Sequence, residues 1–363
     1  MHERPDRIDF FTPAEALHRE LLKHLSEGGD EESADRLFNA GIRTTAERLR
    51  DGIIDSTSWL AADEDAGRLQ FRREVREVWG RPLDLFLAMV ALAEQCVAEN
   101  LTSRQGDAVS AGTPLDPRVI PVTGLLARLT RIGHEVHELL TAGFPRGALA
   151  RARTAHEITV YVVLLAEYGS PEGPHAELVD RFDEHSVVQR AKDAAAYQER
   201  AVEPLPNELC ARLQDQRARV VAKYGKAMND QYGWAAPLFP GKRRLQFPDL
   251  ESKAELDAVR SHYRWANHEV HATSRSLALN TTVEDDGMHR FGIGREMTGL
   301  ADPCLVVARS IVRGLASLLI DTGEQTIQGT IVVRTLWDTL SPLEDLLKAA
   351  DDRSAGTLRP AQS

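Results

Sequence analysis

The chain has 363 residues, 42% of them hydrophobic and 27% charged, so it can bury a real core and is neither disordered nor fibrous. Its formal net charge of −11 is spread without a long basic block, which excludes a broad nucleic-acid surface and allows only a local RNA contact. Three isolated cysteines, Cys96, Cys210 and Cys304, argue against a disulfide framework or a zinc finger. We therefore expect a reducing, cytoplasmic environment.

The N-terminal third of the chain carries helical patterns. Leucine and alanine recur at three- and four-residue spacing, which predicts amphipathic helices over residues 14–25, 33–53, 71–79 and 83–98. The following segment, 101–121, is rich in glycine, serine and proline, which break helices. We predict an N-terminal helical region over residues 1–105, a linker over 106–121 and a helical domain over 122–350.

The second region is also predicted to be helical. It opens with a hairpin of two helices, 122–141 and 146–168, joined by a turn at Gly143-Phe144-Pro145. Further helices are expected over 253–276, 297–321 and 324–350, followed by a disordered tail over 351–363. Strand-like alternation is scarce. The predicted fold class is therefore all-α, a multi-helix bundle.

One stretch is apolar enough to raise the question of a membrane. Residues 300–320 are mostly apolar, but Asp302, Arg309 and Arg313 recur at helical intervals. This pattern is typical of an amphipathic helix buried in a protein core, and we expect no membrane segment. Trp79, Trp234, Trp265 and Trp337 are interpreted as core anchors, because no basic residues alternate with them as in a base-stacking surface.

Ionisable side chains converge on the predicted helix 146–168. Arg153 and Glu157 are four residues apart and share a face, and His156 lies one turn from Arg153. Glu157 could orient Arg153 toward an anionic ligand. Alternatively, the two form a structural ion pair half-buried between helices.

The tetrapeptide His-Glu-Val-His occurs twice, at 134–137 and at 268–271. Histidines three residues apart on a helix can bind one metal ion, so His134, His137 and His268 are candidate ligands. Neither copy supplies the Glu-x-x-His spacing of helical di-iron sites. Chance occurrence is the default interpretation, and we expect neither a metal nor another cofactor.

Several segments resemble a bacterial domain of unknown function, family 5677, over about residues 122–320. The residues that carry the resemblance are Gly147-Ala148, the run Arg153 to Glu157, the segment Tyr232-Gly233-Trp234-Ala235-Ala236-Pro237, Tyr263, and Val270-His271-Ala272. Trp234 and Tyr263 are expected to be packing anchors. The resemblance implies a helical fold and no particular activity.

A more distant resemblance concerns residues 266–271. Asn267, Val270 and His271 match the Arg-Asn-x-x-(Ala or Val)-His motif of HEPN domains, helical bundles that include RNA-cleaving toxins and phage-defence effectors. Ala266 occupies the arginine position of that motif, so Arg264 is the candidate substitute. The resemblance implies that His271 assists proton transfer from a ribose hydroxyl while an arginine binds phosphate.

Three functions are therefore predicted as alternatives, the third being a metal site in the helical bundle formed by the two His-Glu-Val-His segments. The first is a HEPN-like, RNA-directed effector in stress or phage defence, either a metal-independent ribonuclease or its degenerate relative, with His271, Arg264 and Asn267 as site residues. The second is a non-catalytic helical module that binds a protein or small ligand. In each case we expect a homodimer or a protein partner, and neither DNA nor membrane binding.

Overall fold

A computed structural model describes residues 11–28, 30–260, 273–279, 281–283, 287–292, 294–322 and 326–357. It divides the chain into two compact units, Met1–Phe71 (unit 1) and Arg72–Ser363 (unit 2). The described elements are almost all helical, which confirms the all-α prediction.

Unit 1 contains α1 (Phe11–Ser26) and the first part of α2 (Glu31–Ala111). The two helices approach closely at Gly41, where a Cβ atom would lie 2.2 Å from Cδ1 of Leu17. None of the described side chains between residues 15 and 71 is buried. In the described part of this unit, the helices therefore pack closely without enclosing a core.

The long helix α2 corrects two predictions. It is continuous from Glu31 to Ala111, so the predicted helices 33–53, 71–79 and 83–98 are parts of one element that includes Pro82. Residues 106–111 of the predicted linker are helical, and only 112–118 separate α2 from the next helix. Gly106 and Ser110 lie exposed on the helix, where such residues weaken a helix without ending it.

The core of unit 2 is formed by α3 (Val119–Thr141), α4 (Pro145–Tyr168) and α9 (Ala301–Ala316, continued by a π turn over Ser317–Asp321), together with the later part of α2. The predicted hairpin 122–141 and 146–168 is confirmed as α3 and α4. Glycines bring these helices together: a Cβ at Gly133 would lie 2.8 Å from Val90, and one at Gly314 would lie 2.6 Å from Leu126. Trp79, Phe86 and Leu129 are fully enclosed.

The last helix, α10 (Ile327–Thr357), extends beyond its predicted end. The predicted disordered tail is therefore helical at 351–357, while residues 358–363 lie outside the described residues. The reason is a long-range hydrogen bond: the buried indole N–H of Trp79 donates to Ser354 Oγ at 2.9 Å. Trp337, in contrast, is 59% exposed, so its prediction as a core anchor is wrong.

The remaining elements surround the candidate site. They are α5 (Leu178–Gln198), α6 (Asn207–Tyr224), 3-10 turns over Lys226–Asn229, Gly233–Leu238 and Asp257–Val259, α7 (Phe247–Lys253), α8 (Ser274–Leu279), β1 (Thr281–Val283) and β2 (His289–Phe291). The two short strands pair antiparallel, with Thr281 opposite Phe291. The prediction of a helix beginning near Lys253 is wrong, since α7 ends there and Glu255 adopts a positive φ of 56°.

Two helices among the described residues are long and apolar enough to cross a bilayer, namely α2 and the segment Ala301–Asp321. The most apolar window of Ala301–Asp321 is 72% buried within the protein, as in a core helix, and that of α2 is 33% buried. Pro303 to Leu315 supply part of the core of unit 2, which confirms the predicted buried amphipathic helix.

Candidate functional site

Helix α4 displays the predicted pair of charged residues. Arg153 Nη2 donates to Glu157 Oε1 at 2.9 Å, across one helical turn. Their side chains are 22% and 27% exposed, so both are partly accessible to a ligand. The ion pair predicted from the four-residue spacing is confirmed.

His156, on the same helix, lies inside the protein. Its Nε2 is 2.9 Å from Oε1 of Glu251, which is on α7 and fully buried. The second carboxylate oxygen of Glu251 accepts a hydrogen bond of 2.7 Å from Arg260 Nε. Glu251 therefore links α4 to the residues that follow α7. We call Arg153, His156, Glu157, Glu251 and Arg260 the α4–α7 cluster.

Aromatic rings enclose one side of this cluster. The ring of Phe247 meets His156 edge-on, with the centroids 6.0 Å apart, and Tyr232 lies 6.4 Å from Phe247. Burial raises the pKa of Tyr232, and the negative charge of Glu157 raises it further. Tyr232 is therefore a neutral hydroxyl within the electrostatic range of the ion pair.

These positions separate two roles. His156 and Glu251 are shielded from solvent, so they orient neighbouring groups and cannot touch a large substrate directly. Arg153 and Arg260 are partly exposed guanidinium groups, each hydrogen-bonded to a carboxylate. A planar guanidinium held in this way is suited to binding an oxyanion such as a phosphate.

The segment Tyr232 to Pro237 is held by a buried arginine of α5. Arg181 donates to the carbonyl oxygens of Trp234 and Gly233, both at 3.1 Å. Trp234 is buried and packs edge-on against Tyr161 and Phe182, which confirms the predicted packing anchor. This segment therefore supports the aromatic side of the cluster.

The predicted catalytic residues Arg264, Asn267 and His271 lie outside the described residues, as do Tyr263 and His268. They belong to the segment 261–272, which begins directly after Arg260. Arg260 itself belongs to the α4–α7 cluster through its hydrogen bond to Glu251.

The predicted metal candidates on α3 have other contacts. His134 Nε2 is 3.0 Å from Glu94, and burial lowers the pKa of His137, which lies near Glu138 and Asp84. Among the residues described, no three histidine, cysteine or acidic side chains are grouped as metal ligands.

Comparison with known proteins gives one match. Residues 119–289 match the model of a family of unknown function (DUF5677), so this part of unit 2 carries a domain similar to that family. The match covers the helical hairpin and the α4–α7 cluster and ends about thirty residues before the predicted limit near residue 320. No curated protein and no solved structure matches the chain significantly.

Two residues of the cluster, Glu251 and Arg260, were missed from the sequence. Glu251 lies 95 positions after His156, so no local spacing indicates their contact. The surrounding segment gives no signal for its burial either, because Asp249 and Lys253 on the same short helix are also charged.

Proposed function

We propose that the chain is an RNA-directed effector of the HEPN type, acting in stress or phage defence by metal-independent cleavage. The sequence support is the match of Asn267, Val270 and His271 to the HEPN motif. The observation that carries the proposal is the partly exposed Arg153 on α4, which Glu157 orients, together with Arg260, which Glu251 binds six positions before the motif.

Each residue has a distinct role in this proposal. The ribose 2′-hydroxyl attacks the adjacent phosphorus and passes its proton to His271, while the bond to the 5′-oxygen breaks and the departing 5′-oxygen takes a proton from water. Arg153 or Arg264 binds the phosphate oxygens through its planar guanidinium. Glu157 fixes the orientation of Arg153, and the enclosed pair His156 and Glu251 joins α4 to α7.

Local charge supports an anionic ligand despite the negative charge of the chain. The loop before α7 carries Lys242, Arg243 and Arg244, all exposed. Lys242 is paired with Asp249, while Arg243 and Arg244 add two positive charges to the same short loop. Such a basic patch attracts a nucleic-acid backbone in a salt-dependent manner.

The test is cleavage of a labelled RNA by the purified full chain in the presence of a metal chelator. We expect wild type to give fragments that end in a 2′,3′-cyclic phosphate. His271→Ala should lower the rate by about 100-fold or more, because proton transfer is lost. Arg153→Lys should lower it by roughly tenfold, since lysine keeps the charge and loses the planar fork.

Arg151→Lys is the matched control for Arg153→Lys. Arg151 lies on the same helix and pairs with Glu135 away from the cluster, so the variant should cleave at the wild-type rate. An uncut RNA with wild type, or equal rates with His271→Ala, would overturn the proposed function. Circular dichroism must show that each variant is folded.

The second candidate is a non-catalytic helical module, favoured by the near-complete burial of His156 and Glu251. In that case Arg153 and Glu157 stabilise the packing of α4. Wild type would leave RNA intact, and Arg153→Lys would lower the midpoint of thermal unfolding without any effect on RNA.

A further inference from the structure

Unit 1 exposes a line of large apolar side chains. On α2, Ile42, Ile53 and Leu60 are 46%, 43% and 41% exposed. Helix α1 packs beside a neighbouring face of α2, which includes Leu37, Gly41 and Arg48 and has the half-buried Leu49 at its edge. Because none of the described side chains of this unit is buried, these apolar groups have no core of their own to enter.

The exposed residues Ile42, Ile53 and Leu60 belong to a longer pattern that has the spacing of a coiled coil. Apolar or small residues alternate at intervals of four and three: Ile42, Ala46, Leu49, Ile53, Ser56 and Leu60. We call these six residues the α2 stripe. An alternation of four and three keeps one seam of a helix facing a partner helix over several turns. The small residues Ala46 and Ser56, which flank the central pair Leu49 and Ile53, would let two helices approach closely.

Charges along the stripe are segregated. Residues 36–50 contain Arg36, Arg43, Arg48 and Arg50 against Glu47, a net charge of +3, whereas residues 51–65 contain five acidic residues and no basic one, a net charge of −5. Arg36 and Arg50 also pair with acidic neighbours on their own helix, but exposed pairs of this kind contribute little. An antiparallel copy would place each positive half against a negative half.

We propose that the α2 stripe is a self-association surface on which a second copy of this chain packs antiparallel. Ile42 then lies opposite Leu60 of the partner subunit, Ala46 opposite Ser56 of the partner subunit, and Leu49 opposite Ile53 of the partner subunit. This pairing buries the exposed isoleucines and joins the oppositely charged halves. It is independent of the RNA site in unit 2.

Adjacent isoleucines provide a matched test. Ile53 belongs to the stripe, whereas Ile54, 61% exposed, points away from it. Sedimentation equilibrium of the full chain should give twice the monomer mass of 40.2 kDa for wild type and for Ile54→Asp. Ile53→Asp should raise the dimer dissociation constant on the order of 100-fold, because a carboxylate would enter the apolar seam.

A monomeric wild type at micromolar concentration, or equal weakening by both variants, would overturn the proposal. Circular dichroism establishes that Ile53→Asp keeps its helices. Wild type that stays monomeric but sediments with lipid vesicles would assign the stripe to a membrane surface instead.

Orientation is tested by disulfide cross-linking in a chain with serine at positions 96 and 210. The variants Ile42→Cys and Leu60→Cys should cross-link efficiently only when mixed, because the antiparallel arrangement places position 42 beside position 60 of the other copy. Efficient cross-linking of Ile42→Cys with itself would indicate parallel helices and overturn the proposed arrangement.

Discussion

Arg181 lies buried on α5 among carbonyl oxygens. It donates to Gly233, Trp234 and Tyr224 at 3.1 to 3.2 Å and pairs with Glu177. Arg118 has a similar role, with donations to Ala166 and Asp321. Buried carbonyls must find donors, and these side chains satisfy groups that regular helices leave without one.

Replacement of Arg181 by lysine should therefore destabilise the fold. Lysine keeps the charge but cannot reach the three carbonyls from one planar group, so buried acceptors lose their partners. We expect a loss of about 3 kcal/mol in the free energy of unfolding. Urea denaturation measures it, with Arg190→Lys on the exposed face of the same helix as the control. Equal stability of the two variants would contradict this role.

His185 makes stability depend on pH. Its Nε2 is 2.9 Å from the carbonyl of Asp230, and burial, aided by the charges of Lys192 and Arg181, lowers its pKa below 6.5. The unfolded chain therefore binds a proton more readily than the folded one. The contribution of the neutral, buried imidazole to the free energy of unfolding is therefore complete above pH 6.5. It is lost as the pH falls through the lowered folded-state pKa.

The corresponding variant is His185→Gln, which cannot be protonated. Between about pH 7.5 and 5.5 its free energy of unfolding should fall less than that of wild type. Urea midpoints at several pH values measure the difference, and His18→Gln, at an exposed position of unit 1, is the control. A wild-type pH dependence in His185→Gln would show that His185 is not the responsible group.

At the scale of the element, local signals predicted the α3–α4 hairpin to within a few residues, because Gly143 and Pro145 mark a real turn. The same signals failed at Pro82 and Gly106, which lie inside α2. The predicted start of a helix at Lys253 was also wrong, because α7 ends at that residue, while positions 261–272 of the predicted helix lie outside the described residues. Tertiary contacts, which local periodicity cannot represent, decided these ends.

The turn at Gly233 permits no side chain. A Cβ there would lie 1.9 Å from the carbonyl oxygen of Ala227 and 2.8 Å from Cα of Met228, both of them backbone atoms. Gly233→Ala should therefore cost about 3 kcal/mol or more in the free energy of unfolding, because backbone must move.

Gly124→Ala is the opposite case and serves as the control. A Cβ at Gly124 on α3 meets no atom within 4 Å, so alanine should stabilise that helix by about 0.5 to 1 kcal/mol. Thermal unfolding followed by circular dichroism should move the two midpoints in opposite directions. A Gly233→Ala protein as stable as wild type would show that the turn can relax.

For the whole molecule, the sequence predicted the helical class and the Arg153–Glu157 pair but not the division at Phe71. The glycine, serine and proline residues of 106–121 predicted a domain boundary there. The two units are both helical and differ in how many side chains are buried, which helix-breaking residues do not indicate. Among the described side chains, the first enclosed one is that of Val75. The contact of His156 with Glu251 was likewise out of reach, because it joins residues far apart in the chain.

The two units should differ in hydrogen exchange. Amides of α3 and α4 lie in the enclosed core and should exchange slowly at any protein concentration, since they open only with the whole of unit 2. Amides of residues 38–60 lack such a core, so their protection should come from self-association along the α2 stripe. We expect this protection to rise with protein concentration and to fall in high salt, which screens the oppositely charged halves.

Hydrogen exchange measured by mass spectrometry at two protein concentrations checks this expectation. Residues 38–60 of Ile53→Asp should remain unprotected at both concentrations. Protection of residues 38–60 that is independent of concentration would mean that α1 alone stabilises this part of α2.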